Sequence, residues 1–364
     1  MINDFKDYKV NVKHPVIQGI AFIVTLAVAV TAITFGVSNI GRKDPGYYYI
    51  SPSSDEEAVN YSSGFELVYY FDGTSNEIKE NTLLVTEAYS TALARAYKLL
   101  DAKNEYTSYN NLAYLSNHQN EWVEISEELY TILKDAYNKT DGESYNMFAG
   151  AFYEHWNTII ISEDSMDFDP IINSEEALRL EALADATNEI GNFSLDFSEG
   201  NMVKFSVNAD YITFLNDNEE ATKVLDLNLM HDAYVLSIVV NALEEAGYNQ
   251  GYIMTDSGIT YSLSGYNGGE FAIYGPREKE EDELEVVLTK EATPGSCISV
   301  FYTFDRLGDD PEYFTTIKDG LTYYRSPFIS PTDFGTKVYE PYYYAISSEG
   351  DVINCVYENI KKLS

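Results

Sequence analysis

The chain has 364 residues, 45% of them hydrophobic and 14% aromatic, and carries a formal net charge of -36 at pH 7. That hydrophobic content excludes a disordered chain, and that charge excludes a basic stripe for nucleic acid or anionic lipid. Only two cysteines, Cys297 and Cys355, are present, which excludes a disulfide framework and a thiolate zinc cluster while leaving room for one disulfide outside the cell.

No charged residue lies between Pro15 and Gly41, and as a helix the apolar run Val16–Ile40 would rise about 37 Å, enough to cross a bilayer with some tilt. The small-x-small triplet Ala27-Val28-Ala29 sits mid-run, so the pattern predicts an uncleaved anchor rather than a signal peptide. Lys6, Lys9 and Lys13 precede the span, which points to a cytoplasmic stub over residues 1–15 and a single-pass cell-membrane protein with an extracytoplasmic C-terminal domain. The first 43 residues hold five Lys or Arg against two Asp, so residues 44–364 carry a net -39.

Residues 41–63 contain Pro45, Pro52 and the run Ser53-Ser54-Asp55-Glu56-Glu57 and read as a linker to one domain over 64–364. Gly64–Asp72 alternates as a first strand. From Asn81, the stripe Val85, Tyr89, Leu93, Tyr97 and Leu100 predicts an amphipathic helix. Ser126 is placed to cap a second helix, with Glu127 and Glu128 at its positive end and Leu129, Ile132, Leu133 and Ala136 inward. A third covers about Asp232–Ala246 and stops at Gly247, followed by strands at Tyr252–Met254 and Ile259–Ser262. Arg277–Glu285 is a charge run expected as an exposed loop. A final helix spans Gly350–Leu363 with Val352, Ile353, Val356 and Ile360 inward. Helices interleaved with short strands give an α/β or α+β domain.

Common catalytic signatures are missing: there is no GxSxG, HExxH, P-loop or GxGxxG. The histidines His14, His118, His155 and His231 have no metal-ligand spacing.

One stretch is specific. Asn104–Asn117 (NEYTSYNNLAYLSN) and Glu121–Trp156 (EWVEISEELYTILKDAYNKTDGESYNMFAGAFYEHW) resemble, in order, motifs of the FAD:protein FMN transferases, the ApbE-like flavin transferases. Tyr106 matches a Tyr that precedes a turn matched by Asn110–Ser116. Ile125–Leu129 matches a helix start, and Gly142–Trp156 matches the motif "tdGaFDPTvGPLvxLW". More weakly, Asp226–Ser237 (DLNLMHDAYVLS) is similar to "DLGGIAKGYAVD", and Asp351–Cys355 (DVINC) to "DAxxT". The resemblance covers roughly Phe65–Leu363 and implies a single flavin-transferase domain, an FAD site and an extracytoplasmic setting.

The resemblance further implies a Mg²⁺-dependent transfer of FMN from FAD to a Thr or Ser of a partner flavoprotein, in which a cation offsets charge developing at phosphate. It places Tyr106, Asn111, Asn146, Gly150 and Asp226 at the flavin and Asp351 with Cys355 at the metal. Cys355 stands where the family has Thr, and a thiol suits Mg²⁺ poorly. Asp232, Ala233 and Ser237 replace the family's Lys, Gly and Asp. Asn146 and Met147 replace its Asp and Pro, and Pro327–Asp333 lacks the His of "HIIDPRTG". Two readings stay open. One is a divergent transferase with Asp351 as principal ligand. The other is a non-catalytic module, a pseudoenzyme that binds FAD or a surface redox partner in electron transfer or flavoprotein maturation. For the aromatic motif at Tyr145–Trp156, core packing and flavin contact stand level.

Overall fold

The computed structural model describes residues 43–52, 64–140, 144–162, 165–189, 191–217, 224–266, 268–277, 280–304, 313–329 and 341–363. The stub and the span Val16–Ile40 lie outside them. Among the described residues no helix is long and apolar enough to cross a membrane.

Contacts divide the chain into two units, residues 1–46 with 72–80 and residues 47–71 with 81–364. In the first, the Lys43 amide donates to Ser75 Oγ at 2.9 Å. Thr74 and Glu77 form a capping box: the Thr74 amide and hydroxyl each donate to Glu77 Oε2 at 2.7 Å. Helix α1 therefore begins at Ser75 and runs to Leu100, about two turns earlier than its apolar stripe indicates.

The second unit is built on a six-stranded sheet ordered β1-β2-β6-β7-β10-β13. Its strands are β1 (Gly46–Ile50), β2 (Phe65–Phe71), β6 (Gly251–Thr255), β7 (Ile259–Ser262), β10 (Cys297–Tyr302) and β13 (Tyr342–Ser347). The first of these corrects the linker reading. In Gly46–Ile50 the tyrosines Tyr47 and Tyr49 face out while Ile50 is buried, an alternation that suits an edge strand. Pairings from β2 through β6, β7 and β10 to β13 are antiparallel, so the class is α+β.

The pleat sends alternate residues of the central strands to opposite layers. Ile253, Ile259, Tyr261, Cys297, Ser299 and Phe301 occupy cross-strand positions of one face. On that face lies the final helix, which packs on β10 and β13 and against helix His231–Glu245. The other face sends Ile298, Val300 and Tyr302 into a cluster with Phe271, Ile273 and Ala292 of the hairpin β8–β9, Gly269–Arg277 and Glu280–Ala292. The charge run at Arg277–Glu285 thus enters a hairpin, not a loop. A two-stranded ribbon leaves its edges in water, where charge is tolerated.

Between β2 and β6 the chain forms α2 (Leu112–Asn117), α3 (Glu127–Lys139), α4 (Gly150–Ile160), α5 (Ser165–Phe168), α6 (Ser174–Asn188), α7 (Ala209–Asp217) and α8 (His231–Glu245), with a small sheet β3-β5-β4 over Trp122–Glu124, Met202–Val207 and Phe193–Ser198. The remaining hairpin, β11–β12, is Phe314–Lys318 with Leu321–Arg325. Ser126 caps α3, its Oγ accepting the Leu129 amide at 3.1 Å. Gly247, at φ +84°, closes α8 with the Tyr248 amide donating to Leu243 O at 2.8 Å, a Schellman turn that needs a left-handed residue.

Candidate functional site

Three residues expected at the flavin meet at one junction. Asn146 Oδ1 accepts the Phe148 amide at 2.9 Å, and the Asn146 carbonyl accepts Asn228 Nδ2 at 3.0 Å. The Asp226 amide donates to Met147 O at 2.9 Å and the Asp226 carboxylate accepts the Asn228 amide at 3.0 Å. Gly150 N bonds Val224 O at 3.4 Å. These bonds join the start of α4 to the turn before α8, with Asn228 held at φ +46°.

The other two are placed as scaffold. Asn111 is fully buried and caps α2: its Oδ1 accepts the Tyr114 amide, and its Nδ2 donates to Lys98 O and Asn104 O at 3.0 and 2.7 Å. Both amide protons are used, so none remains for a cofactor. The Tyr106 hydroxyl donates to Asp101 Oδ2 at 2.8 Å, and the Lys98 ammonium lies 5.8 Å from the centre of its ring.

The aromatic motif resolves in favour of packing. Phe152 and Trp156 are fully buried in a cluster with Leu180, Leu183 and Ile329. Trp156 Nε1 donates to Ser326 O at 3.1 Å and the Tyr153 hydroxyl to Ile329 O at 3.2 Å. Beneath them Arg325 Nε meets Asp169 Oδ2 at 3.0 Å with both side chains at 0% exposure, and the guanidinium carbon sits 4.8 Å from the Trp156 ring centre. Sequence reading missed this ion pair because nothing local marks either residue.

A separate open cleft of about 1130 Å³ runs between α1, α3, α8 and the start of the last helix, α9 (Val352–Ile360). Arg95, Glu127, Glu128, Asp135, Lys139, Tyr234, Ser237, Glu245 and Asp351 are on its walls. Both of these cations are engaged with acids: Arg95 bonds Glu128, and Lys139 Nζ is 2.7 Å from Asp135 Oδ1. The Tyr234 hydroxyl donates to Asp135 Oδ2 at 2.8 Å. Burial, then the neighbouring Tyr145, Asp135 and Asp351, push the Tyr234 pKa far up and keep it a neutral donor. The i,i+4 spacing of Asp135 and Lys139 was the available sequence signal.

Asp351 and Cys355 do not assemble as a metal pair. Asp351 is the N-cap of α9, with φ −73° and ψ 84°, and its carbonyl accepts the Cys355 amide at 2.9 Å. Its Oδ1 accepts the Asn354 amide at 2.9 Å. Cys355 is 4% exposed and its Sγ donates to Ala345 O at 3.3 Å. Among the described residues no three His, Cys, Asp or Glu form a metal-holding group. A helix-capping Asp351 and a buried Cys355 thiol do not by themselves make the hard-oxygen pair that suits Mg²⁺. Nor do five carboxylates against two acid-engaged cations suit a pyrophosphate.

No protein-family model and no curated protein matches the chain by sequence. Solved structures do match its fold. The ApbE protein of Thermotoga maritima aligns with TM-score 0.56 at 16% identity, over 86% of this chain and 85% of that one. The flavin transferase ApbE of Vibrio cholerae aligns with TM-score 0.51 at 11% identity, over 88% and 86%. The apo flavinyl transferase ApbE of Pseudomonas stutzeri gives 0.50 at 13%, over 88% and 84%. The described chain has the fold of the ApbE flavin transferases.

Proposed function

We propose that this chain is a membrane-tethered, extracytoplasmic relative of the flavin transferases that has exchanged Mg²⁺-dependent FMN transfer for a binding role, serving flavoprotein maturation or surface electron transfer. The observation that carries the reading is the last-helix motif: Asp351 is engaged as a helix cap and Cys355 is buried on a carbonyl. Fold alone does not determine chemistry, which resides in the site. An acid-lined cleft favours a partner presenting positive charge over a free dinucleotide.

A second reading, FAD binding without transfer, is favoured by the size of the cleft, about 1130 Å³ and ample for a cofactor, though its acidic walls oppose the pyrophosphate. Both are tested on the full chain in detergent, incubated with FAD, with and without Mg²⁺, and with a Ser/Thr acceptor peptide. Flavin fluorescence reports binding, and chromatography reports AMP. No AMP is expected in either reading, and AMP release would overturn both. Bound flavin would select the second. Protease protection in sealed vesicles tests the location: the domain is expected to be cleaved from the extracytoplasmic side only.

A further inference from the structure

Cys297 opens β10, where it pairs with Ser347 on β13 and with Tyr261 on β7. Cys355 lies one turn into α9, 58 residues further along. The Cys355 sulfur is 3.9 Å from the Cys297 carbonyl oxygen and 3.3 Å from that of Ala345. Both side chains are buried, at 0% and 4% exposure.

A buried cysteine is often no more than a small hydrophobe. Here, however, the chain's two cysteines come from a strand and a helix that approach independently, and the Cys355 sulfur lies against the Cys297 backbone. We infer that Cys297 and Cys355 are the site of an intrachain disulfide that fastens the final helix to the central sheet. Forming it in the cell rests on the extracytoplasmic location proposed above, where thiols are oxidised; forming it in vitro does not.

With a small-molecule disulfide RSSR as oxidant, the step balances. Cys355 gives up its proton and its thiolate attacks one sulfur of RSSR, forming a mixed disulfide and releasing RS⁻, which takes a proton. Cys297 then loses its proton and attacks the Cys355 sulfur, forming the Cys297–Cys355 bond and releasing a second RSH. The two thiols lose two protons and two electrons, and RSSR is reduced to two RSH. The products are the same whichever thiol attacks first. Closing the segment that carries β11, β12 and β13 restricts the unfolded chain and stabilises the folded one.

The test uses the full chain in detergent, reduced, cleared of reductant and incubated with oxidised glutathione. It is then acid-quenched, unfolded, treated with a maleimide and digested for mass spectrometry. The expected product is a Cys297–Cys355 linked peptide with neither cysteine alkylated, both becoming alkylatable after reduction. The oxidised chain is expected to unfold at a higher temperature than the reduced one. A Cys355→Ser variant can still donate to the Ala345 carbonyl, and its unfolding temperature is expected not to respond to the oxidant. Alkylation of both cysteines after oxidation, or glutathione on each without a crosslink, would overturn the assignment. Equal unfolding temperatures for oxidised and reduced chains would overturn the fastening role. A chain recovered reduced from cells that crosslinks in vitro would support the disulfide site and overturn the location.

Discussion

The carboxylate of Asp351 accepts the backbone N–H of Asn354 at 2.9 Å, so the one acid kept from the last-helix motif is engaged as the cap of its own helix. Asn caps a helix as well as Asp does. Asp351→Asn is therefore expected to leave stability within about 0.5 kcal/mol, while Asp351→Ala costs about 1 kcal/mol. Neither change is expected to alter calorimetric Mg²⁺ binding. A large loss of Mg²⁺ affinity in Asp351→Asn, with the fold intact, would restore the metal role.

Asp169 and Arg325 form a dry ion pair to which the Thr316 hydroxyl also donates, at 2.5 Å. Removing one partner strands a buried charge. Asp169→Leu or Arg325→Met alone is expected to cost about 3–5 kcal/mol in denaturant unfolding. The double variant is expected to recover much of that, because no unpaired charge then remains buried. Additive losses would contradict this account.

Burial pushes the Tyr211 and Tyr261 hydroxyls up from 10.0 to about 12, with the Glu244 charge adding to the effect at Tyr261. The folded state thus holds the proton more tightly than the unfolded chain. The stability this contributes is complete below pH 10 and is lost as pH rises through about 12. Denaturant midpoints are expected to fall across that window, and less steeply in Tyr261→Phe. A pH-independent midpoint would count against the burial of these phenols.

Burial acts to raise the pKa of Asp232, but hydrogen bonds from His231 and Ser257 and the His231 charge outweigh it and bring the pKa below its ordinary 3.8. Here the folded state releases the proton more readily. This contribution is present above pH 3.8 and is lost as pH falls through the lower folded value. Asp232→Asn is expected to flatten the acid limb of the stability profile, and Ser257→Ala to do so in part. Unchanged acid limbs in both variants would refute it.

Periodicity and caps carried much of the fold. The stripe on α3 is buried as expected at Leu129, Ile132, Leu133 and Ala136, and Ser126 and Gly247 terminate their helices. The final helix buries Val352, Val356 and Ile360, whereas Ile353 is only half-buried, and Cys355 and Asn359 take inward positions. Edges were less legible. The capping box at Thr74 and Glu77 lies ahead of the apolar stripe, so periodicity alone starts the helix too late. For the Tyr-rich β1 and the charged strands of β8–β9, composition does not distinguish a peripheral strand from a loop.

The sequence by itself determined the helical stripes, the caps and the order of motifs, because these depend on neighbours within a few residues. It also showed which residue types stand where the flavin-transferase motifs have a Lys, an Asp and a Thr. Only the tertiary structure decided what the retained residues do. Asn111 spends its amide on Lys98 and Asn104, Asp351 spends its carboxylate on Asn354, and Cys355 donates its thiol to the Ala345 carbonyl. Those outcomes depend on which strand or loop each side chain meets on folding, and hydrogen-bonding capacity used there is withdrawn from any ligand.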